Sequence, residues 1–247
     1  MAHYDAMMTN HPPAMSRRER LRAQALQDIE DSSFAIIDAD GVHALTVAAL
    51  ARSMAMSAPA LYRYFPSRDA LVAHLIGLSY QQLTATLAHA TENSTGTPRS
   101  RVRLIVAAYR DWALRYRRRY GMLFAERAAD APPETPHPTP LDQAMALLID
   151  TLGAIRDPVP TSTTSGDHSL DAQLRQWARS QERPDTAPGV GIAAILLWTR
   201  VHGIVGLELT GVFDARTIEA QRLIDVEIDN AIRFLNPADP RELHDSP

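Results

Sequence analysis

Proline placement constrains this chain more than any other feature. Of 247 residues, 17 are proline. Most fall in clusters: Pro12 and Pro13, Pro98, Pro132 to Pro140, Pro158 and Pro160, Pro184 and Pro188, and Pro237 to Pro247. Proline lacks the backbone N–H and clashes with the preceding helical turn, so it ends helices. The stretches between clusters are long, rich in Ala and Leu, and carry apolar residues every three or four positions. None alternates apolar and polar as a half-buried strand does. The chain therefore reads as all-α. Beyond the N-terminal segment treated next, helices are expected near 68–90, 99–119, 120–127, 140–156, 169–182, 191–212 and 215–235. Linkers are expected at 91–97, 129–139, 157–167 and 183–189, and mobile tails at 1–15 and 236–247.

Hydrophobic residues make up 45% of the chain and charged residues 22%, enough apolar material for a real core. Net charge is −4, and all 25 basic residues are arginine. With no cysteine, disulfides, thiolate metal sites and a cysteine nucleophile are excluded. Residues 1–15 lack the basic-then-apolar pattern of a secretory signal. The apolar run 189–198 is short for a membrane span, with Arg200 and His202 close behind. A cytoplasmic protein without membrane association is the expectation.

The first helix has a readable start and stop. Ser16 followed by Glu19 fits a capping box. Leu26, Ile29, Ser33, Ile36 and Ile37 share a face, and Gly41 suits the position just past the end.

The segment 46–68, TVAALARSMAMSAPALYRYFPSR, is the most informative. Thr46 can cap a short helix over 47–53, and Ser57 a second over 58–64, with Pro59 in its first turn where a missing N–H is harmless. Ser67 can cap a third, with Asp69 favourable beside its positive end. Two short helices joined by a tight turn form a helix-turn-helix, whose second helix fits the DNA major groove. Leu50, Leu61 and Phe65 are spaced to pack the helices together. Ala58 and Ala60 are small enough for close approach to base edges. Tyr62, Arg63 and Tyr64 offer hydroxyl and guanidinium donors. Between Gly41 and Arg68 stand three arginines, Arg52, Arg63 and Arg68, and no acid. Residues 1–70 as a whole are not basic, so the local pattern carries the reading.

These residues resemble the TetR (tetracycline-repressor-like) family. The matching positions are Thr46, Leu50-Ala51, Ser57, Ala60-Leu61-Tyr62-Arg63-Tyr64-Phe65, Ser67-Arg68-Asp69 and Leu71, within a match spanning roughly 16–75. The sequence departs from the family signature at three points: Ala55 stands at the turn glycine, Tyr64 at the usual histidine and Arg68 at the usual lysine. Further on, Trp198-x-x-x-His202-Gly203 with Leu207-Glu208-Leu209 is similar to the Trp-His-Gly type of TetR C-terminal domain.

The resemblance implies an N-terminal three-helix DNA-binding domain, 16–66, and a larger helical effector-binding and dimerisation domain, 67–235. DNA contacts would come from Arg17, Thr46, Arg52, Ser57, Ala58, Pro59, Ala60, Tyr62, Arg63, Tyr64 and Arg68. Partners would be double-stranded DNA, a second copy of the chain, through the last two long helices, and a small-molecule effector. The helix starting at Ser67 would link the domains. A repressor released from a palindromic operator by a hydrophobic ligand fits best. An activator of the same build, or a helical small-molecule-binding protein or enzyme, is the alternative.

The family pocket lies among the middle helices, which suggests Tyr109, Trp112, Tyr116, Met122, Phe124, Met145, Ile149, Leu152, Trp198 and His202 as ligand-binding residues. Read as residues alone, the same aromatic and Met stripes equally describe core. Gly203 and Gly206 each cost a helix about 1 kcal/mol; either a partner helix or a close contact within the chain would explain them. Arg115, Arg117, Arg118 and Arg119 read as a helix C-terminus, where positive charge is favourable. There is no HExxH, GxSxG or P-loop, and Gly189-Val190-Gly191 is not a dinucleotide loop. The nine histidines show no metal-ligand spacing. No metal, cofactor or catalytic residue is expected, and the chain does not read as an enzyme.

Overall fold

The computed structural model describes residues 16–92, 94–124, 140–155, 168–214 and 217–236. Among them every regular element is a helix: α1 (Arg17–Asp40), α2 (Val47–Ser53), α3 (Ala58–Tyr62), α4 (Arg68–Glu92), α5 (Pro98–Arg115), α6 (Arg117–Phe124), α7 (Pro140–Gly153), α8 (His168–Ser180), α9 (Pro188–Leu209) and α10 (Ala220–Leu235), with a 3-10 turn at Val42–Ala44. The expected tails and the linkers 129–139 and 157–167 lie outside the described residues. The chain divides into two compact units between Val72 and Ala73, inside α4.

The first unit is closed by Ile29, Ile37, Val42, Leu45, Leu50, Leu61 and Leu71, all buried. Helix α1 begins with the expected capping box: the Ser16 N–H donates to Glu19 Oε2 at 2.7 Å and the Glu19 N–H to Ser16 Oγ at 3.2 Å. It ends at Gly41, whose φ of 87° suits glycine and whose N–H bonds the Ile37 carbonyl.

In the second unit, α9 is the central helix, packed against α5, α7, α8 and α10. Its length and apolar composition alone would let it cross a membrane, which corrects the judgement made on 189–198. The helix starts at Pro188 and runs through Arg200 and His202 to Leu209. It is a core helix here, with Val190, Ala193, Ala194, Leu197, Val201 and Val205 buried.

The expected helix 99–119 breaks three residues early. Tyr116 leaves helical geometry at φ −115°, ψ 46°, and α6 restarts at Arg117. The break stacks Tyr116 near Trp112 (ring centroids 5.7 Å) and buries Tyr120. The arginine run is corrected with it. Only Arg115 lies in a last turn; Arg117, Arg118 and Arg119 open α6, beside the positive end of its dipole. Arg119 is compensated: its guanidinium sits 4.6 Å over the Tyr116 ring and donates to Gln82 Oε1 at 3.1 Å.

Candidate nucleic-acid interface

The helix-turn-helix is held by backbone chemistry that the sequence specifies. Thr46 Oγ1 accepts from the Ala49 N–H at 3.1 Å, capping α2. At the other end the Met56 N–H bonds the Ala51 carbonyl and the Ala55 N–H the Arg52 carbonyl. That is a Schellman closure, and it forces Ala55 to φ 51°. The left-handed residue the turn demands is therefore supplied by alanine, at a cost glycine would avoid. The same closure recurs at Glu182 after α8 and at Gly211 after α9.

Ser57 occupies the N-cap of α3 but makes no side-chain capping bond. Its hydroxyl is exposed and uncommitted to the helix. Pro59 falls in the first turn as expected. Helix α3 ends at Tyr62, with Arg63 as its C-cap and Tyr64 just beyond, so it is shorter than the expected 58–64. Leu61 faces the core. Pro59, Tyr62 (51% exposed) and Arg63 face solvent, with Ala58, Ala60 and Tyr64 half-buried beside them. Thr46, Arg52 and Arg17 are exposed as well. One side of α3 is thus apolar and seated, while the other offers phenol, guanidinium and small side chains.

Arg68 is engaged within the first unit. Its Nε donates to the Leu45 carbonyl and its Nη2 to the Val42 carbonyl, both at 2.7 Å. Its Nη1 stands 3.7 Å from Asp69. This guanidinium ties the start of α4 to the 3-10 turn and to Leu45 just ahead of α2.

The ten candidate ligand residues separate in the second unit. Tyr109, Phe124, Trp198 and His202 meet in one aromatic centre. Trp198 lies 4.9 Å from Tyr109 and 5.8 Å from His202, and Phe124 lies 4.7 Å from His202, centroid to centroid. Tyr120, of the same aromatic cluster in the sequence, completes it: its ring stacks 5.5 Å from His202 and its hydroxyl lies 3.1 Å from Nδ1. Burial lowers the His202 pKa and raises that of Tyr109 well above its ordinary value. Trp112 pairs with Tyr116 and keeps a buried indole N–H without a partner. Met122 and Leu152 are buried, and Met145 packs at the core's edge. Ile149 lines a separate, open hollow of about 320 Å³ beside Asp150, Gly153 and Arg183. The space that Tyr109 and Trp198 line is about 20 Å³, enough for one water.

The glycines on α9 also separate. A Cβ at Gly206 would meet the Tyr120 hydroxyl at 3.5 Å, whereas one at Gly203 meets nothing within 4 Å among the described residues. The contact at Gly206 is therefore internal to the chain.

Comparison with known proteins agrees with this geometry. A model of the bacterial regulatory proteins of the tetR family matches residues 29–75, and a model of the tetracyclin repressor-like C-terminal domain matches residues 102–231, more than half the chain. The HTH-type transcriptional regulators Rv1816 of Mycobacterium tuberculosis and Mb1846 of Mycobacterium bovis are each 26% identical over 184 residues, covering 71% of this chain and 76% of theirs. The crystal structure of SCO4313 is 29% identical with a TM-score of 0.71, over 87% of this chain and 98% of that one. A protein from Rhodococcus sp. RHA1, 20% identical with a TM-score of 0.54 over 85% and 94% of the two chains, shares the fold. With a capped helix-turn-helix in the first unit and an α-helical second unit that each match their own half of the family, the chain belongs to the TetR family of DNA-binding transcriptional regulators.

Proposed function

We propose that this protein is a homodimeric repressor that acts in the cytoplasm and leaves a palindromic operator when a small hydrophobic effector enters its second unit. The observation that carries the reading is the exposed flank of α3, with Pro59, Tyr62 and Arg63 clear of the core. Residues 16–66 would read DNA, and residues 67–235 would bind the effector and the second copy.

Dimerisation is supported by the outer face of α9 and α10. Leu196, Arg200, Gly203 and Leu207 recur at three- and four-residue spacing, and Leu196 and Leu207 are about two-fifths or more exposed. Arg200 Nη1 donates to Glu227 Oε2 at 2.8 Å, tying α9 to α10, and α10 itself exposes Val226 (52%). Gly203 is left open in the chain. A symmetric helix partner would cover these apolar residues and use the missing side chain for close approach.

The effector region is the Tyr109–Tyr120–Phe124–Trp198–His202 centre. The space that Tyr109 and Trp198 line there is about 20 Å³, so a ligand entering between these two would part the helices around it. A ligand that binds the expanded form better shifts the population away from the packed one, and equal affinity for both would shift nothing. Repression relieved by ligand is the sense in which the packed form binds DNA, and activation is the sense in which the expanded form does.

The test starts with selection of duplexes from random-sequence DNA, followed by titration of the selected site. Palindromic enrichment with half-sites about one helical turn, 34–36 Å, apart is expected, with retardation that salt weakens. Absence of sequence-specific retardation would overturn the reading.

A further inference from the structure

Helix α1 is divided by charge. Its first six residues carry Arg17, Arg18, Arg20 and Arg22 against one acid, Glu19. From Asp28 to its end it carries Asp28, Glu30, Asp31, Asp38 and Asp40 and no base. The division runs against the helix dipole, which favours acids at the start. It also sets arginine against arginine at i,i+4 (Arg18, Arg22) and i,i+3 (Arg17, Arg20), where like charges destabilise.

Among the described residues no ion pair offsets that cost. Residues 16–24 are all exposed, and among the described residues the four guanidiniums have no ion pair. The single acid is taken by the capping box with Ser16. The same box keeps the end helical where no core supports it. Leu21, 62% exposed, stands alone among the arginines, so no apolar stripe accompanies them.

Position completes the argument. Ile29 of α1 lines a small hollow together with Leu50, Leu61 and Tyr62, against the helix-turn-helix. At 1.5 Å per residue, Arg22 lies about 10 Å and Arg17 about 18 Å along the axis from that contact. The rod therefore carries four permanent cations beyond the reading pair, over a distance comparable with the roughly 12 Å major groove.

We propose that the start of α1 is a second DNA contact: Arg17, Arg18, Arg20 and Arg22 neutralise backbone phosphates flanking the operator and add affinity without reading sequence. Of the four, Arg17 already belongs to the expected contacts; Arg18, Arg20 and Arg22, and the salt-dependent and sequence-blind character of the contact, are new. The inference rests on the DNA-binding reading.

The experiment compares the full-length protein with R18Q/R20Q/R22Q by fluorescence anisotropy, on the selected operator and on a scrambled duplex, from 50 to 300 mM salt. Each released phosphate contact removes about 0.9 from the slope of log K against log salt. The variant should lose about 2 to 3 from the slope on both duplexes and bind each at least tenfold more weakly at low salt. Its operator-to-scrambled ratio should stay within twofold, since phosphate contacts carry no sequence information. R18K/R20K/R22K should restore the slope. Helicity and thermal midpoint, read on the same samples, should hold or rise slightly, because all three side chains are exposed and their repulsion is relieved. An unchanged slope in a folded variant overturns the inference, and so does a collapse of the specificity ratio. Failure of the wild-type protein to bind any duplex would instead overturn the regulator reading itself.

Discussion

The Tyr109 hydroxyl lies 2.8 Å from Nδ1 of His202. Tyr120 approaches the same nitrogen at 3.1 Å and donates to the His202 carbonyl at 3.3 Å. A phenol can donate to a neutral Nδ1 or accept from a protonated one, so these contacts serve either form of the ring. What the site opposes is the charge: an imidazolium would be half-buried among Trp198, Phe124 and two phenols.

A pH dependence follows. Burial holds the His202 pKa below its ordinary 6.5, so below that value the unfolded chain binds a proton that the folded one resists. Stability then rises with pH across the window and falls as pH drops from about 7 through 6.5 toward the folded value. Thermal midpoints measured from pH 7.5 to 5 should decline, and His202→Asn should flatten the part of the decline that belongs to this site. An identical slope in the variant would assign the acid sensitivity elsewhere.

Ala55 is the easiest gain in stability. Its φ of 51° is one that a Cβ opposes by about 1 kcal/mol. Ala55→Gly relieves that strain but loosens the unfolded chain, a term of about 0.4–1 kcal/mol in the other direction. A net stabilisation between about zero and 1 kcal/mol is expected, with DNA affinity retained, read by chemical denaturation and titration. A loss of more than 1 kcal/mol would show that the turn does not hold this geometry.

Much of this was legible in the sequence, and the illegible parts share a cause. The caps at Ser16 and Thr46 and the stop at Gly41 are local: each joins residues three or four apart, and their spacing shows in the letters. The role of Arg68 is not local. It reaches carbonyls 23 and 26 positions earlier, and an arginine in a DNA-binding segment looks the same whether it faces phosphate or backbone. The break expected between 119 and 120 falls instead at Tyr116: the backbone leaves helical geometry where the Tyr116 ring packs on Trp112, a contact that residue spacing alone does not position. The proposed ligand set is not sorted by sequence, because aromatic and aliphatic stripes at helical spacing describe core and pocket alike. Ile149 and Leu152 are both buried in one core, and only tertiary packing shows that Ile149 also borders an open hollow.

Arg68 should behave as a structural residue. Two charge-assisted bonds to backbone carbonyls, on a side chain about one-third exposed, contribute about 2 kcal/mol together after screening. Arg68→Ala is expected to lower the stability of the first unit by about that amount and to weaken DNA binding with little change in salt slope. Arg68→Lys, lacking the fork, should recover only part. A phosphate-contacting arginine would give the opposite result: unchanged stability and a slope reduced by about 0.9.

The outer face of α9 makes the last prediction. If a second copy covers Leu196, Gly203, Leu207 and Val226, then Leu207→Glu places a charge in each half of a symmetric interface. The residue is 46% exposed in the single chain, so the substitution is tolerated by the isolated fold. Sedimentation should show the wild-type dimer converted toward monomer, with far-ultraviolet helicity preserved. Gly203→Leu tests the close approach separately. A Cβ there meets nothing within 4 Å among the described residues, and replacing glycine should favour an isolated helix by up to about 1 kcal/mol. A dimer weakened by G203L despite that gain would mean that another backbone occupies the space. A dimer unaffected by both substitutions would move the interface off this face. Monomerisation should also cost operator binding far more than half, because each copy reads one half-site and the two share a single association entropy.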